Sequence, residues 1–199
     1  MKEAKLREID HRAFQRRLGP ILAVYAAAMR PPAEQLPGRH TIMDRHASHP
    51  RFRAVVAERR GVLPLGGTLQ GFGYGFAGEH GQWWHDVVYA ALAEAGGPEH
   101  AARWLDDSFE VAELHVHPDH QGRGLGRRLL TTLCEGRPER TVVLSTLDRR
   151  PDTPARRLYR SVGMVDLLTG FDFPGGGPPY AVMGAVLPLA AYEAASSSP

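Results

Sequence analysis

The residues best suited to binding a charged ligand form a glycine- and arginine-rich run at positions 121–128, QGRGLGRR. An apolar segment at 109–117 precedes the run and is typical of a strand, while leucines at helical spacing over 125–134 predict a helix after it. A strand, a glycine-rich turn and a helix N-terminus together present backbone amides to phosphate oxygens. Glycine suits such a turn because a side chain would hold the phosphates away from those amides. The pattern predicts a phosphate-binding loop.

Two common phosphate-binding motifs do not fit this run. A dinucleotide-binding fingerprint needs a further glycine where Arg127 or Leu129 stands, depending on which glycine is counted. A Walker A loop needs a lysine, and the only lysines of the chain are Lys2 and Lys5. The run does match Gln/Arg-x-x-Gly-x-Gly/Ala, the acetyl-CoA signature of the GCN5-related N-acetyltransferase (GNAT) superfamily, which the chain resembles here.

A second segment resembles the same superfamily. Residues 152–164, DTPARRLYRSVGM, are similar to its Asn-x-x-Ala-x-x-Leu-Tyr-x-x-x-Gly-Phe signature. Asp152 stands in place of the usual asparagine, which puts a side-chain contact to the cofactor in question, and Met164 replaces the usual aromatic residue. The resemblance covers residues 109–164.

The order of predicted elements indicates a mixed α/β (α+β) fold. Antiparallel strands come first, followed by strand, loop, helix, strand and helix, and then by two closing strands at 165–173 and 180–187. The resemblance implies a single acyl-CoA N-acyltransferase domain over residues 1–190, with helices flanking a mixed, mostly antiparallel sheet that contains a splayed parallel strand pair. Residues 191–199 are predicted to be a disordered tail.

Composition limits the classes of function. The chain of 199 residues is 43% hydrophobic, enough for a core, and has no apolar run long enough to cross a bilayer. Its net charge of +2 is too weak for a dedicated nucleic-acid-binding protein. The charged N-terminus lacks the apolar stretch of a signal peptide, and the single cysteine, Cys134, fits a reducing compartment. We expect a cytoplasmic protein, either a monomer or a homodimer, without nucleic-acid or membrane partners.

The resemblance implies that acetyl-CoA is the acyl donor. The backbone at the end of the predicted fourth strand, Leu114, His115 and Val116, would bind the pantetheine arm and polarise the thioester carbonyl. Asp152 occupies the position of a further cofactor contact. The loop would wrap the pyrophosphate through Gln121, Gly122, Arg123, Gly124, Leu125, Gly126 and Arg127. Arginines beside a helix N-terminus suit phosphate independently of the resemblance, although Arg128 fits a solvated helix face equally well.

Acyl transfer from a thioester to an amine requires a base for the ammonium and an acid for the leaving thiolate. The resemblance implies that Tyr159 is the acid; packing on the sheet is the alternative. Glu113 is the candidate base, because strand alternation puts it on one face with His115 and His117. A surface position is the alternative for Glu113, and His115 is the second candidate base because imidazole titrates near neutral pH.

The spacing of His115, His117 and His120 also invites a metal interpretation. Two histidines on one strand face can share a metal, but a site needs further ligands, and nothing fixes His120 beyond Pro118. We therefore predict no metal.

The amine pocket would be formed, by resemblance, from residues 20–50, the loop at 78–86 and the hairpin loop at 175–179. Trp83, Trp84 and His85, in the second of these, are candidate substrate contacts through an apolar wall or cation–π attraction. Capping of the core is the alternative. The acceptor is a small-molecule amine or a peptide amine.

One predicted strand, at 68–76, alternates glycines with aromatic residues, which leaves one face bare. A bare face either admits a ligand or another chain, or packs tightly against a helix.

Two functions compete with an N-acetyltransferase. A non-catalytic acyl-CoA-binding or sensing domain would keep the loop but need neither Tyr159 nor Glu113. An arginine-rich nucleic-acid or protein-interaction module would use the aromatic–glycine strand, against which the weak net charge argues.

Overall fold

Strands rich in β-branched and aromatic residues alternate with amphipathic helices along the chain. A computed structural model describes residues 4–59 and 68–190. Within these ranges the strands are β1 (Lys5–Ile9), β2 (Arg53–Arg59), β3 (Thr68–Ala77), β4 (Ser108–Val116), β5 (Thr141–Leu147), β6 (Val165–Phe171) and β7 (Tyr180–Val186). The helices are α1 (His11–Arg16), α2 (Leu18–Met29), α3 (Leu36–His46), α4 (Trp83–Gly96), α5 (Pro98–Leu105), α6 (Leu125–Cys134) and α7 (Pro154–Arg160), with 3-10 turns at Ala33–Gln35 and Pro118–His120.

The strands form one sheet in the order β1-β2-β3-β4-β5-β7-β6. The pairs β1–β2, β2–β3, β5–β7 and β6–β7 are antiparallel. The predicted mixed α/β fold class, with a mostly antiparallel sheet, is confirmed. The predicted disorder of 191–199 lies outside the described residues.

The chain packs as two compact units, Met1–Ala77 with Glu110–Leu133 and Gly78–Phe109 with Cys134–Pro199. In the first unit, the apolar faces of α1, α2 and α3 cover the aromatic face of β3, and Phe14, Ile21 and Met43 are fully buried there. In the second unit, Val88, Leu92 and Leu105 of α4 and α5 pack with Val143 of β5 and Val182 of β7. Each unit therefore has its own hydrophobic core.

The bare face of β3 is filled by close packing. A Cβ on Gly71 would lie 2.9 Å from the carbonyl oxygen of His115 and 3.1 Å from Leu129 Cδ1. A Cβ on Gly73 would lie 2.9 Å from Leu114 Cδ1 and 3.5 Å from a methyl group of Leu133. Of the two interpretations that the sequence leaves open, tight packing against a helix is the one the structure bears out, since the leucines of α6 occupy this face.

Candidate active site

The first unit carries a connected polar cluster near the end of β4. The side chains of Glu113 and His115 hydrogen-bond through Oε2 and Nε2. The other carboxylate oxygen of Glu113, Oε1, accepts a hydrogen bond from Arg39 Nη1 of α3 at 3.0 Å. Because the Glu113 side chain is 8% exposed, it is a buried acid with two partners rather than the surface acid that the sequence left open.

Aromatic rings enclose this cluster. The ring of His115 lies 5.2 Å from that of Tyr25 on α2, edge to face, and 5.5 Å from that of Phe72 on β3. The guanidinium carbon of Arg39 lies 5.1 Å from the centre of the Tyr25 ring, within cation–π range. Burial by itself would lower the pKa of Arg39, but the charge of Glu113 and contacts with Tyr25 raise it overall. Arg39 therefore stays charged beside the Glu113 side chain.

Strict alternation of side chains fails within β4. Ala112 packs against the aromatic core of the first unit, and the next residue, Glu113, reaches the same side to meet Arg39. Leu114 contacts the opposite, glycine face of β3. Two consecutive side chains on one face are what a β-bulge produces. A periodicity of two along the sequence does not predict this irregularity.

Sequence reasoning missed Glu110, which this irregularity brings to the same side as Glu113. Glu110 is buried on β4, and within the described residues its Oε2 has no hydrogen-bond partner. Desolvation raises the pKa of this carboxyl to about 8. Tyr74 lies near both acids: burial first, then the charges of Glu113 and Glu110, raises the pKa of its phenol. An acid inside the otherwise apolar segment 109–111 is the feature of the sequence that could have indicated a buried carboxyl group.

A neutral histidine completes this region. His46 Nδ1 lies 3.1 Å from the hydroxyl oxygen of Tyr74. Burial, together with His49 and two neighbouring arginines, lowers the pKa of His46 to about 4 despite the opposing charge of Glu113. His46 is therefore an uncharged hydrogen-bonding group at neutral pH.

The glycine-rich loop that the sequence predicts to bind phosphate also lies in the first unit, after the 3-10 turn that follows β4. Gln121 Nε2 donates to the carbonyl oxygen of Val116 at 2.9 Å, which ties the loop to β4. Gly122 and Gly124 have φ values of +72° and +74°, in the left-handed region that favours glycine. Among the described residues, chain neighbours aside, nothing lies within 4 Å of where a Cβ would stand on either glycine, so the loop is open there.

The start of α6 supplies further features of an anion site. The amide of Arg128 donates to the Gly124 carbonyl at 3.1 Å, so the helix begins within the loop, and Leu125 is buried beneath it. The first amides of a helix have no partner within the helix and point at its N-terminus. Arg123 is exposed and Arg127 half-buried beside this end. Arg128 Nη2 instead donates to the Ala4 carbonyl at 3.1 Å. The open, basic loop fits a pyrophosphate group.

Tyr159 and Asp152 belong to the second unit. Tyr159 is buried on α7, whose N-terminus is capped by the Thr153 side chain accepting from the Arg156 amide at 3.3 Å. Arg156 is buried and ion-paired with Asp148 and, at 2.7 Å, with Asp166, which anchors this helix. Asp152 is exposed just before the cap.

The prediction that Trp83, Trp84 and His85 lie in a loop is wrong, because they form the first turn of α4. Trp84 packs against the core of the second unit and donates from Nε1 to Ser145 Oγ at 3.1 Å, as in the core-capping alternative. His85 is buried, 1% exposed, whereas Trp83 is 59% exposed with its ring 5.6 Å from that of Phe173. The apolar residues at 84, 88 and 92 are at helical spacing, which could have predicted that the helix begins before Asp86.

The family follows from comparison with known proteins. The acetyltransferase (GNAT) domain family matches residues 51–164, more than half of the chain and both signature segments. The chain belongs to the GNAT family. The GCN5-like protein acetyltransferase Rv2170 of Mycobacterium tuberculosis is 37% identical to this GNAT chain over 194 residues, covering 88% of the chain and 94% of that protein.

Solved structures share the GNAT fold. YncA of Salmonella typhimurium, with its cofactor acetyl-CoA, superposes with a TM-score of 0.58 at 18% identity, covering 96% of this chain and 97% of that one. The ribosomal-protein-S18-alanine N-acetyltransferase of Escherichia coli superposes with a TM-score of 0.60 at 15% identity, covering 96% and 97%. At these identities the likeness establishes the fold alone.

The GNAT assignment makes this protein an acetyltransferase with acetyl-CoA as its acyl donor. The open glycine loop and the N-terminus of α6 are suited to its phosphates. Along the described residues, no helix has the length and apolar character needed to span a membrane.

Proposed function

We propose that this GNAT protein transfers the acetyl group of acetyl-CoA directly to a primary amine, with His115 and Glu113 acting together to remove the ammonium proton. The hydrogen bond between Glu113 and His115 is the observation that carries the proposal. Both oxygens of Glu113 already have partners, Arg39 on one and His115 on the other. A carboxylate so occupied is better placed to orient a base than to accept the proton itself.

The proton would move to His115 Nδ1. With a proton on Nε2 directed at Glu113, the neutral ring has its lone pair on Nδ1, where it can accept a proton from the ammonium directly or through water. The imidazolium that forms is stabilised by the Glu113 carboxylate. Glu113 therefore remains essential, as a positioning residue and not as the direct base.

Acetyl-CoA supplies an activated thioester when bound. We assign its phosphates to the backbone of residues 121–127, with Arg123 and Arg127 adding charge. The backbone of Leu114, His115 and Val116 is assigned to the pantetheine arm. Tyr159 is proposed to donate its phenolic proton to the departing thiolate, and Asp152 to lie near the cofactor.

We infer that the acceptor is an amine of a protein, either a lysine side chain or an N-terminus. The support is the 37% identity over most of the chain to a relative named as a protein acetyltransferase. Exposed Trp83 is the remaining candidate for acceptor contact among the three aromatic residues of α4, since Trp84 and His85 are used by the core.

A non-catalytic acyl-CoA-binding domain is the second candidate function. Such a domain would not require a buried acid that is ion-paired with an arginine and lies beside a histidine on β4. Burying charged groups costs free energy, so their burial here indicates a function. The Glu113–His115 pair therefore favours catalysis.

The experiment combines acetyl-CoA calorimetry with thiol release on lysine-containing and N-terminal peptides. We expect His115→Gln to reduce kcat by about 10²-fold or more and Tyr159→Phe to reduce it as well, both with acetyl-CoA affinity retained. Glu113→Gln should reduce kcat by a smaller factor. His117→Gln, outside β4, is the matched control and should keep full turnover.

Each outcome has a distinct meaning. Full turnover in His115→Gln would show that His115 is not the base. Full turnover in Tyr159→Phe would show that Tyr159 is not the acid. Acetyl-CoA binding without turnover on any amine would favour the non-catalytic function instead.

A further inference from the structure

A second cluster of polar side chains lies in the second unit, at the start of α4. His80, His85 and Asp86 each offer one ligand atom, and these three atoms lie within 4.8 Å of one another. Asp86 Oδ1 is 3.3 Å from His85 Nδ1 and 3.4 Å from His80 Nδ1, so both imidazoles converge on one carboxylate oxygen. The sequence motif of histidines at 115–120 gives no comparable convergence within the described residues; its His117 Nδ1 accepts from the Asp119 amide.

The hydrogen bond on the far side of His85 determines which of its nitrogens can bind a cation. His85 Nε2 lies 3.3 Å from the backbone carbonyl oxygen of Leu105. A carbonyl oxygen only accepts, so the neutral tautomer with its proton on Nε2 satisfies this contact and leaves a lone pair on Nδ1 for a cation. This is the arrangement by which proteins orient a metal-binding histidine.

That lone pair then faces an acceptor. Asp86 Oδ1 is ionised and cannot donate, and a second acceptor 3.3 Å away is repelled unless a positive group lies between them. A proton on Nδ1 or a bound cation satisfies this pair. In the tautomer protonated on Nε2, a cation shared by all three side chains does so.

Asp86 is held ready as a ligand. Its Oδ2 accepts from the Gly81 amide at 2.9 Å, which fixes the carboxylate across the turn before α4.

The cluster opens on one side. A cavity of about 420 Å³ is lined by Gly78, Glu79, His80, His85, Tyr89 and Asp106. Two further acids, Glu79 and Asp106, face it, so its potential favours a cation. Metal sites that keep an open position need such a space, because water or another ligand must complete the coordination.

We propose that His80, His85 and Asp86 bind one divalent transition-metal ion of the Zn²⁺ type. The ligands are Nδ1 of His80, Nδ1 of His85 and a carboxylate oxygen of Asp86, and water from the cavity completes a tetrahedral shell. Two imidazoles and one carboxylate are an established Zn²⁺ ligand set. The ion ties the turn at 78–82 to the first turn of α4. This proposal differs from the sequence-based expectation of no metal, and it gives His85 a role other than substrate contact.

The test uses the untagged full chain and ZnCl₂, with binding followed by calorimetry and equilibrium dialysis. We expect one equivalent of Zn²⁺ to bind. His80→Asn and Asp86→Asn should each weaken binding by at least about 10–100-fold, the loss typical of removing even an outer-shell partner. Both residues are exposed, so these variants are expected to fold, which circular dichroism checks. His117→Asn, a histidine substitution elsewhere on the surface, is the control and should bind as the wild type does.

Co²⁺ provides an independent readout. Its visible absorption should report a low-symmetry, tetrahedral site in the wild type and in His117→Asn, and be lost in His80→Asn. Two results would overturn the proposal: wild-type protein without stoichiometric Zn²⁺ binding, or equal Zn²⁺ affinity in the wild type and His80→Asn. Nitrogen NMR showing His85 protonated on both nitrogens in the presence of Zn²⁺ would overturn it as well. None of these measurements depends on acetyl transfer.

Discussion

Glu110 allows a quantitative test of the structure, because its carboxyl group is buried on β4 with Oε2 unpartnered among the described residues. Burial raises its pKa from 4.5 to about 8. Between these two values the folded chain holds a proton that the unfolded chain has released. The free energy of unfolding therefore decreases as the pH rises through this window and levels off above pH 8. Glu110→Gln removes the titrating group, so it should remove this part of the pH dependence.

The size of the effect follows from the shift in pKa. One pKa unit corresponds to about 1.4 kcal/mol, so the whole shift is worth at most roughly 5 kcal/mol. Over the accessible range from pH 6 to pH 8, wild-type stability should fall by up to about 3 kcal/mol relative to Glu110→Gln. At pH 9 the variant should be the more stable of the two by the largest margin.

Urea denaturation at pH 6, 7, 8 and 9 measures this difference. Glu94→Gln, on the exposed side of α4, is the control, and its stability curve should run parallel to that of the wild type. If Glu110→Gln also runs parallel to the wild type, Glu110 is ionised in the folded chain and the assignment of a buried, protonated carboxyl is refuted.

Three further predictions test the packing and the loop. Gly71→Ala should cost about 1–3 kcal/mol, because its Cβ would lie 2.9 Å from a backbone oxygen; an unchanged urea midpoint would contradict this packing. Gly124→Asp should weaken acetyl-CoA binding at least tenfold in calorimetry, since it puts a side chain at a strained φ and adds a negative charge. The control Gly38→Ala, on α3, should leave this affinity unchanged. Full affinity in Gly124→Asp would exclude the loop as the phosphate site. Arg156→Met should destabilise the chain by about 3 kcal/mol in thermal or urea unfolding, because Asp148 loses this cation and Asp166 keeps only Arg160. Wild-type stability would show that the two aspartates are solvated instead.

Local patterns predicted much of the fold. The leucines of α6 at helical spacing are fully buried at 129, 130 and 133, and the loop before them has the left-handed glycines that a phosphate turn needs. Such features depend on residues close in sequence, where spacing and backbone freedom decide the conformation. The two signatures likewise led to the GNAT family, which the match over 51–164 confirms.

Patterns failed where a distant residue decides the outcome. The sequence predicted a loop at Trp83 and Trp84, but these residues begin α4, where Trp84 donates a hydrogen bond to Ser145 of β5. Alternation failed on β4 because an irregularity brings Glu110 to the side of Glu113. The sequence left open whether Arg128 contacts phosphate or faces solvent. In the structure it donates to the Ala4 carbonyl, more than a hundred residues away.

The sequence by itself determined the class of fold and the glycine turn before α6, because both rest on residue types at short, regular spacing, and its resemblance to the GNAT family led to the acyl donor. Only the tertiary structure decided that Glu113 is held by Arg39, that Glu110 is buried without a partner for one oxygen, and that His80, His85 and Asp86 converge on one point. The physical reason is that burial and the distance between charges set pKa values and ligand geometry, and both depend on contacts between distant parts of the chain.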